Sequence, residues 1–386
     1  MNLKMISYNV SHYFSKRVPR QLEELYASVA IMDFAISSIA IFEPIYLWKI
    51  GYSLQSILIF YLMVYGLYFL LVPLGGKLIG LIGYERTILY SCFFLIFFYL
   101  SLFLIPHHPV FLLLAVFMYA MQKSLYWPAY HGDFAEYSQK EDRGKETAGL
   151  MDISLVVCVF GPLAGGFIIK FFGFNALFFI VSLLILISNI PLMVTKEEFK
   201  KVGFPYLSTY KMILKKENVK SFLAYLGFGE ELIVMVVWPI FIYLVIKDFL
   251  TLGGLVALST LVTSLLILYI GKLTDNKDKK KLIRTGSVFY SAAWFIRLLA
   301  VSGFHVFFID AFSRIFKSVI YVPVVTTTYD RANKSDIVRT VVFFEQSLAL
   351  GKVIACLIAY FLLFFFSGWT AAFVIAGLMT FLYVLL

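Results

Sequence analysis

The sequence predicts an all-α integral membrane protein, with twelve transmembrane helices in two pseudo-symmetric six-helix halves. Three observations lead there. First, 61% of the 386 residues are hydrophobic and only 15% are charged, against about 45–50% and about 25% in soluble domains. Second, the apolar residues form continuous runs of the length that crosses a bilayer core as a helix, about 20 residues. Third, the chain repeats its own landmarks after 195 residues, close to half its length. This composition excludes an ordinary soluble enzyme, a disordered chain and a nucleic-acid binder, even though the net charge is +10.

The runs lie near 22–48, 53–81, 86–106, 109–131, 147–172, 174–195, 219–247, 249–272, 283–303, 305–329, 337–366 and 368–386. They are unbroken, not alternating, so helices are expected and a barrel is not. Their orientation follows from Lys and Arg in the loops. With the N-terminus inside, the inner segments hold 25 cations, and the outer loops hold three: Lys49, Lys170 and Lys247. Both termini are therefore expected in the cytoplasm, in a bacterial-type inner or plasma membrane. Cys92, Cys158 and Cys356 lie far apart inside apolar runs, with no disulfide or metal-ligand spacing.

Residues 196–218 are polar and lysine-rich and fall at the midpoint. They divide the chain into a half at 21–195, a cytoplasmic linker at 196–218 and a second half at 219–386. Residues 1–20 carry four cations and an apolar face of Leu3, Ile6, Val10, Tyr13 and Phe14. They are expected to form an amphipathic segment lying on the membrane.

The repeat sets Pro44 on Pro239, Gly76-Lys77-Leu78 on Gly271-Lys272-Leu273, and Tyr126 and Pro128 on Tyr321 and Pro323. A six-span unit is even, so both copies insert in the same orientation, as in one plan of secondary transporter.

With these features the chain resembles the major facilitator superfamily over nearly its whole length. The family's loop motif is matched after span 8 by Gly271, Asp275, Lys279 and Lys280. After span 2, Gly76 and Gly83 are kept, but Gly80 stands at the Asp position and Tyr84 and Glu85 at the basic ones. Span 5 carries Gly161-Pro162-Leu163-Ala164-Gly165-Gly166, which is similar to the core of the motif seen in drug/proton antiporters. Plain close packing of helices is the competing reading of those glycines. Gln122 stands at the Gln of a span 4 signature whose Arg and Gly are replaced by Tyr119 and Lys123.

Ionisable groups inside a span cost at least about 2.5–3.5 kcal/mol at mid-helix, so they mark a water-filled cavity or a partner. Asp33 lies in span 1, Gln122 and Lys123 in span 4, Glu230 and Glu231 in span 7, and Arg314 and Lys317 in span 10. The resemblance implies that these four spans line a central cavity. Lys123, Arg314 and Lys317 are expected to face one pocket and attract an anionic group, flanked by Trp127, Tyr126, Trp238 and Tyr321. An internal salt-bridge lattice is the alternative. Arg297, Glu345 and Lys352, in spans 9 and 11, read as structural pairs or lateral-gate contacts. The five histidines are scattered.

The functional expectation is secondary active transport by alternating access, with protons as the coupling ion. A carboxyl in a poorly solvated cavity can take and release a proton, and Asp33, Glu231 and Glu230 are the candidates. No phosphate-binding loop occurs, so direct ATP coupling is not expected. The cargo is an organic anion or an amphipathic compound. Alternatives are a receptor or scaffold without flux and a lipid or lysolipid translocator. The expected partners are the small molecule, protons and the bilayer, for a monomer without enzymatic activity, cofactor, metal or nucleic acid.

Overall fold

The computed structural model describes residues 20–138, 143–195, 201–366 and 368–386. The expected surface segment at 1–20 falls, except for Arg20, outside the described residues. The helices are α1 (Glu23–Lys49), α2 (Leu54–Ile82), α3 (Tyr84–Leu104) and α4 (Val110–Tyr137). The long helix Arg143–Ser188 breaks at Gly173, φ 81°, into α5 (143–172) and α6 (174–188). Then follow α7 (Lys216–Ile246), α8 (Phe249–Asn276), α9 (Lys279–Ile296), α10 (Gly303–Asn333), α11 (Ile337–Leu362) and α12 (Gly368–Thr380). Several helices outrun their apolar cores. α4 continues to Tyr137 and α10 to Asn333, because the helical hydrogen bonds persist into polar turns that hydropathy reads as loop.

Side chains that would be core in a soluble protein face outward here. Phe179 on α6, Leu265 on α8 and Phe361 on α11 are 73%, 75% and 60% exposed. That surface suits lipid, which competes for apolar groups as water does not. Helix starts are capped where the chain turns. Ser53 Oγ accepts from Ser56 N, Asp248 from Thr251 N and Asp336 from Arg339 N, the usual way to satisfy first-turn amides.

The two repeat-related prolines have matching consequences. α1 unwinds into a turn over 38–41 before Pro44. α7 loosens into a π-helical segment, Ile233–Val237, before Pro239. Proline lacks the N–H for the preceding turn and crowds its carbonyl, so the break falls just upstream.

The halves meet along two seams. α5 packs on α8: a Cβ on Gly166 would strike the Phe249 backbone, and one on Gly253 would strike the carbonyl of Pro162. Gly161 and Gly165 face Ser37 and Ser38 at the α1 turn with the same lack of room. The Gly-Pro-x-x-Gly-Gly segment is thus a close-packing surface for both α1 and α8. α2 packs on α11, where Cys356 Sγ donates to the Leu58 carbonyl at 2.9 Å.

Residues after 200 run back along the exposed end of α2. Val202 N donates to Gly80 O at 3.0 Å, and a Cβ on Gly80 would strike Val202 O. The Phe204 ring lies where a Gly76 side chain would be, 2.7 Å from its Cβ position. Pro73 leaves the Phe69 carbonyl without its helical donor. The Tyr210 hydroxyl takes that place, with Phe69 O at 3.3 Å and Leu70 O at 2.8 Å. This packing gives the missing acid of the first loop motif a physical reason, since Gly80 is where the linker docks.

Candidate functional site

Lys123, Trp127 and His131 are spaced four apart on α4, so they share one helical face. All three border a cavity of about 250 Å³ between the halves. Tyr65 and Tyr68 of α2 close one side, Phe228, Glu231 and Met235 of α7 another, Tyr321 of α10 a third. Phe344, Glu345, Leu348 and Lys352 of α11 complete the wall. A second cavity of about 320 Å³ is bordered by Glu231, Tyr290, Arg314, Lys317 and Tyr321. A third, of about 290 Å³, lies among Ser37, Cys158, Trp238, Asp310 and Arg314. Met235, inside the π-helical segment of α7, borders all three. The distortion of α7 therefore sits where the cavities meet.

Most charges around these cavities are already paired. Glu230 is fully buried. It accepts from Tyr290 at 2.7 Å, from Tyr383 at 3.2 Å and from Lys317. Lys317 also reaches Glu231 at 3.1 Å, and Lys352 bonds the other Glu231 oxygen at 2.9 Å. Arg314 bonds Asp310 at 2.7 Å, and Trp238 Nε1 donates to the second Asp310 oxygen at 3.1 Å. Arg297 is buried with its guanidinium 3.6 Å from the Trp294 ring centre and donates to Ser313 at 2.9 Å.

Lys123 differs. It is 5% exposed, and its ammonium lies over the rings of Tyr119, at 4.1 Å, and Tyr65, at 5.5 Å. Among the described residues no carboxylate lies within salt-bridge distance of it. Glu43, on α1, accepts from Tyr99 at 3.0 Å and does not border the cavity.

Ties between the halves occur at both ends of the bundle. At the end where the linker lies, His131 Nε2 meets Glu345 Oε1 at 3.1 Å, and His131 Nδ1 meets the Tyr329 hydroxyl at 2.7 Å. Tyr68 donates to the other Glu345 oxygen at 2.5 Å. Asn333 donates to the Ala135 carbonyl at 2.7 Å. At the far end Lys170 bonds Asp248 at 3.0 Å. The Thr251 backbone amide, then the Thr251 hydroxyl and Lys170, hold Asp248 down at about 2.

The expectation of one pocket shared by Lys123, Arg314 and Lys317 meets a different arrangement. Lys123 borders the first cavity, and Arg314 and Lys317 border the second. Both of the latter are held by carboxylates, because a cation this deep is stable only with a bonded partner or water. Trp127 and Tyr321 line the first cavity and Trp238 the third. Tyr126 is buried against Tyr130, with rings 5.8 Å apart. Gln122 is buried and borders none of the three. Of the two glutamates, Glu231 borders two cavities and Glu230 none. Asp33, half-buried, faces Ser154 across from α5.

Asp275 makes its contacts at the end of α8, and Lys279 bonds Asp330 at 2.9 Å, tying α9 to α10. Sequence reasoning missed Glu345, Lys352 and His131 as cavity residues. The four-residue spacing from Lys123 through Trp127 to His131 was the available signal for the last.

A sequence profile described as the Major Facilitator Superfamily matches residues 25–229 and 221–386. A variant of the E. coli fucose:proton symporter FucP aligns with a TM-score of 0.69 and 12% identity, over 94% of this chain and 96% of that one. A bacterial homologue of the iron transporter ferroportin, outward-facing with soaked iron, aligns with a TM-score of 0.64 and 15% identity, over 94% and 98%. No curated protein sequence matches this chain. The chain belongs to the major facilitator superfamily.

Proposed function

We propose that this major facilitator superfamily member is a proton-coupled secondary transporter that carries a small molecule by alternating access. The observation that carries the reading is the set of cavities that meet at Met235, two of them lined by both halves, with the halves tied to each other at both ends. A site near mid-membrane between two repeats is what alternating access requires. In this reading residues 21–195 and 219–386 are the rocking bodies. Residues 196–218, both termini and the amphipathic segment 1–20 lie on the cytoplasmic side of a bacterial-type plasma membrane. A cysteine placed at Lys211 should then stay unlabelled by an impermeant reagent added outside intact cells.

Proton coupling is supported by His131 and Glu345, a titratable pair with one member in each half. Around them are Tyr68 of α2, Trp127 and Tyr130 of α4, Tyr329 of α10 and Phe344 of α11, and the charged Lys352 of α11 borders the same cavity. With Glu345 ionised, one tautomer satisfies every contact: Nε2–H donates to the carboxylate and the Tyr329 hydroxyl donates to Nδ1. A proton taken up by Glu345 would remove the negative charge to which His131 Nε2–H and the Tyr68 hydroxyl donate, and the tie would weaken. Asp33 and Glu231 remain candidates for the coupling carboxylate. Glu230, sealed by three donors, suits bracing.

The test is flux in proteoliposomes with an imposed pH gradient. Wild-type protein should concentrate its cargo. Glu345→Gln and Asp33→Asn should each be assayed for both accumulation and exchange. A coupling residue's variant keeps exchange and loses accumulation. Accumulation by both, with wild-type pH dependence, would remove them from the coupling step. No flux of any cargo by wild-type protein would favour a receptor or scaffold.

A further inference from the structure

Besides its tyrosines, the cavity beside α4 is bordered by five ionisable groups, and four of them are already matched. Both Glu231 oxygens are taken, one by Lys317 and one by Lys352. Both Glu345 oxygens are taken, one by His131 and one by Tyr68. Lys123 alone among these five has no bonded acceptor among the described residues; its ammonium touches ring faces only. A lysine carries three donors and no acceptor, and ring faces satisfy its charge but not its N–H groups. On the cavity wall these N–H groups are available to an acceptor that enters the cavity, and an anionic one matches the charge.

The remaining wall is mostly aromatic, with Trp127, Tyr321, Phe228 and Phe344 beside Met235 and Leu348. The volume of about 250 Å³ exceeds the roughly 150 Å³ that holds benzene in an apolar cavity. It leaves space for one ring with a short polar group.

We infer that this cavity binds a small aromatic monocarboxylate, whose carboxylate is held by Lys123 and whose ring lies among Trp127, Phe228, Tyr321 and Phe344. The inference rests on the transporter reading for its biological use but not for the binding itself. Two competing cargo classes fit less well. An aromatic amino acid or a cationic drug would need a free acceptor for its ammonium, and both acidic side chains on the wall are occupied. A dicarboxylate would need a second unpaired cation, and Lys352 is engaged by Glu231.

The experiment is titration calorimetry of the purified full-length protein with benzoate, phenylalanine, phthalate and benzylamine. Benzoate should bind and the other three should bind at least about tenfold more weakly. Lys123→Gln should weaken benzoate by roughly 10- to 100-fold, the range for a hydrogen bond to a charged group. Lys123→Arg, which keeps the charge, should retain most of the affinity and shows that a loss in the Gln variant is not misfolding.

Glu43 supplies the decisive control. If Lys123 serves as its distant counter-ion, Glu43→Gln with Lys123→Gln will bind benzoate as well as wild type, and the inference fails. It also fails if benzoate is no better than benzylamine. Flux separates the two readings. Transport of another cargo without benzoate binding overturns this assignment and leaves the transporter standing. Benzoate binding that depends on Lys123, with no flux, upholds the site and overturns the transporter.

Discussion

Subtracting 195 from an ionic residue of the C-terminal half gives its counterpart in the N-terminal half. Glu230 and Lys317 fall on Ala35 and Gln122, and Asp310 and Arg314 on Ala115 and Tyr119. Glu231, Arg297 and Lys352 fall on Ile36, Leu102 and Val157. In the other direction, Asp33, Glu43 and Lys123 correspond to Phe228, Trp238 and Ser318. So the C-terminal half contains bonded ion pairs, and where the N-terminal half lacks them it lacks both members. That is the energetically permitted pattern. Losing one member of a buried pair strands a charge, whereas replacing both is often neutral. Among the described residues, the mid-span charges Glu43 and Lys123 of the N-terminal half have no bonded ionic partner: Glu43 accepts from Tyr99, and Lys123 lies over two tyrosine rings. On the reading proposed above, the ion pairs of the C-terminal half brace the fold, and Lys123 of the N-terminal half is left to hold an anionic group.

The largest expected effect breaks one brace. Lys317→Gln should cost about 3–5 kcal/mol, read as a lowered unfolding midpoint in detergent. Glu230→Ala together with Lys317→Gln reproduces the N-terminal composition and should recover most of that loss. A double variant no more stable than the single one would mean the lattice does not behave as pairs.

A smaller effect tests the loop-motif positions. Gly80 corresponds to Asp275, and the linker occupies the space a side chain would need. Gly80→Ala should destabilise by about 1–3 kcal/mol through overpacking. It should also speed limited proteolysis within 201–207. Unchanged cleavage would show that the docked linker does not depend on that glycine.

Lys123→Gln should cost no more than about 2 kcal/mol, because only ring contacts are lost. A drop as large as that of Lys317→Gln would erase the distinction between the halves.

The smallest effect lies at the far end of the bundle. Asp248 is held at about 2, below its ordinary 3.8. Its ionised form therefore contributes stability that is fully present above about pH 4 and is lost as pH falls towards 2. Asp248→Asn should cost less than about 1 kcal/mol at pH 6, by chemical unfolding. The gap between the two proteins should close as pH falls through 2.

Much of this was legible before any coordinates. The runs of apolar residues dictate helices, because a backbone in lipid must satisfy its own hydrogen bonds. The 195-residue repeat gave the two-half plan, and Pro44 and Pro239 marked the helices that bend. The central charges of α1, α4, α7 and α10 were legible as unusual, since nothing else in a span is so costly.

What each charge does was not legible, because ion pairing joins residues from separate helices. Lys317 meets Glu230 across 87 positions of sequence, and His131 meets Glu345 across 214. Sequence spacing reports faces of one helix only. Lys123 and Lys317 look alike as lysines buried in equivalent spans. Only the tertiary structure, by setting two glutamates beside one and aromatic faces beside the other, makes Lys317 a brace and leaves Lys123 with donors to offer.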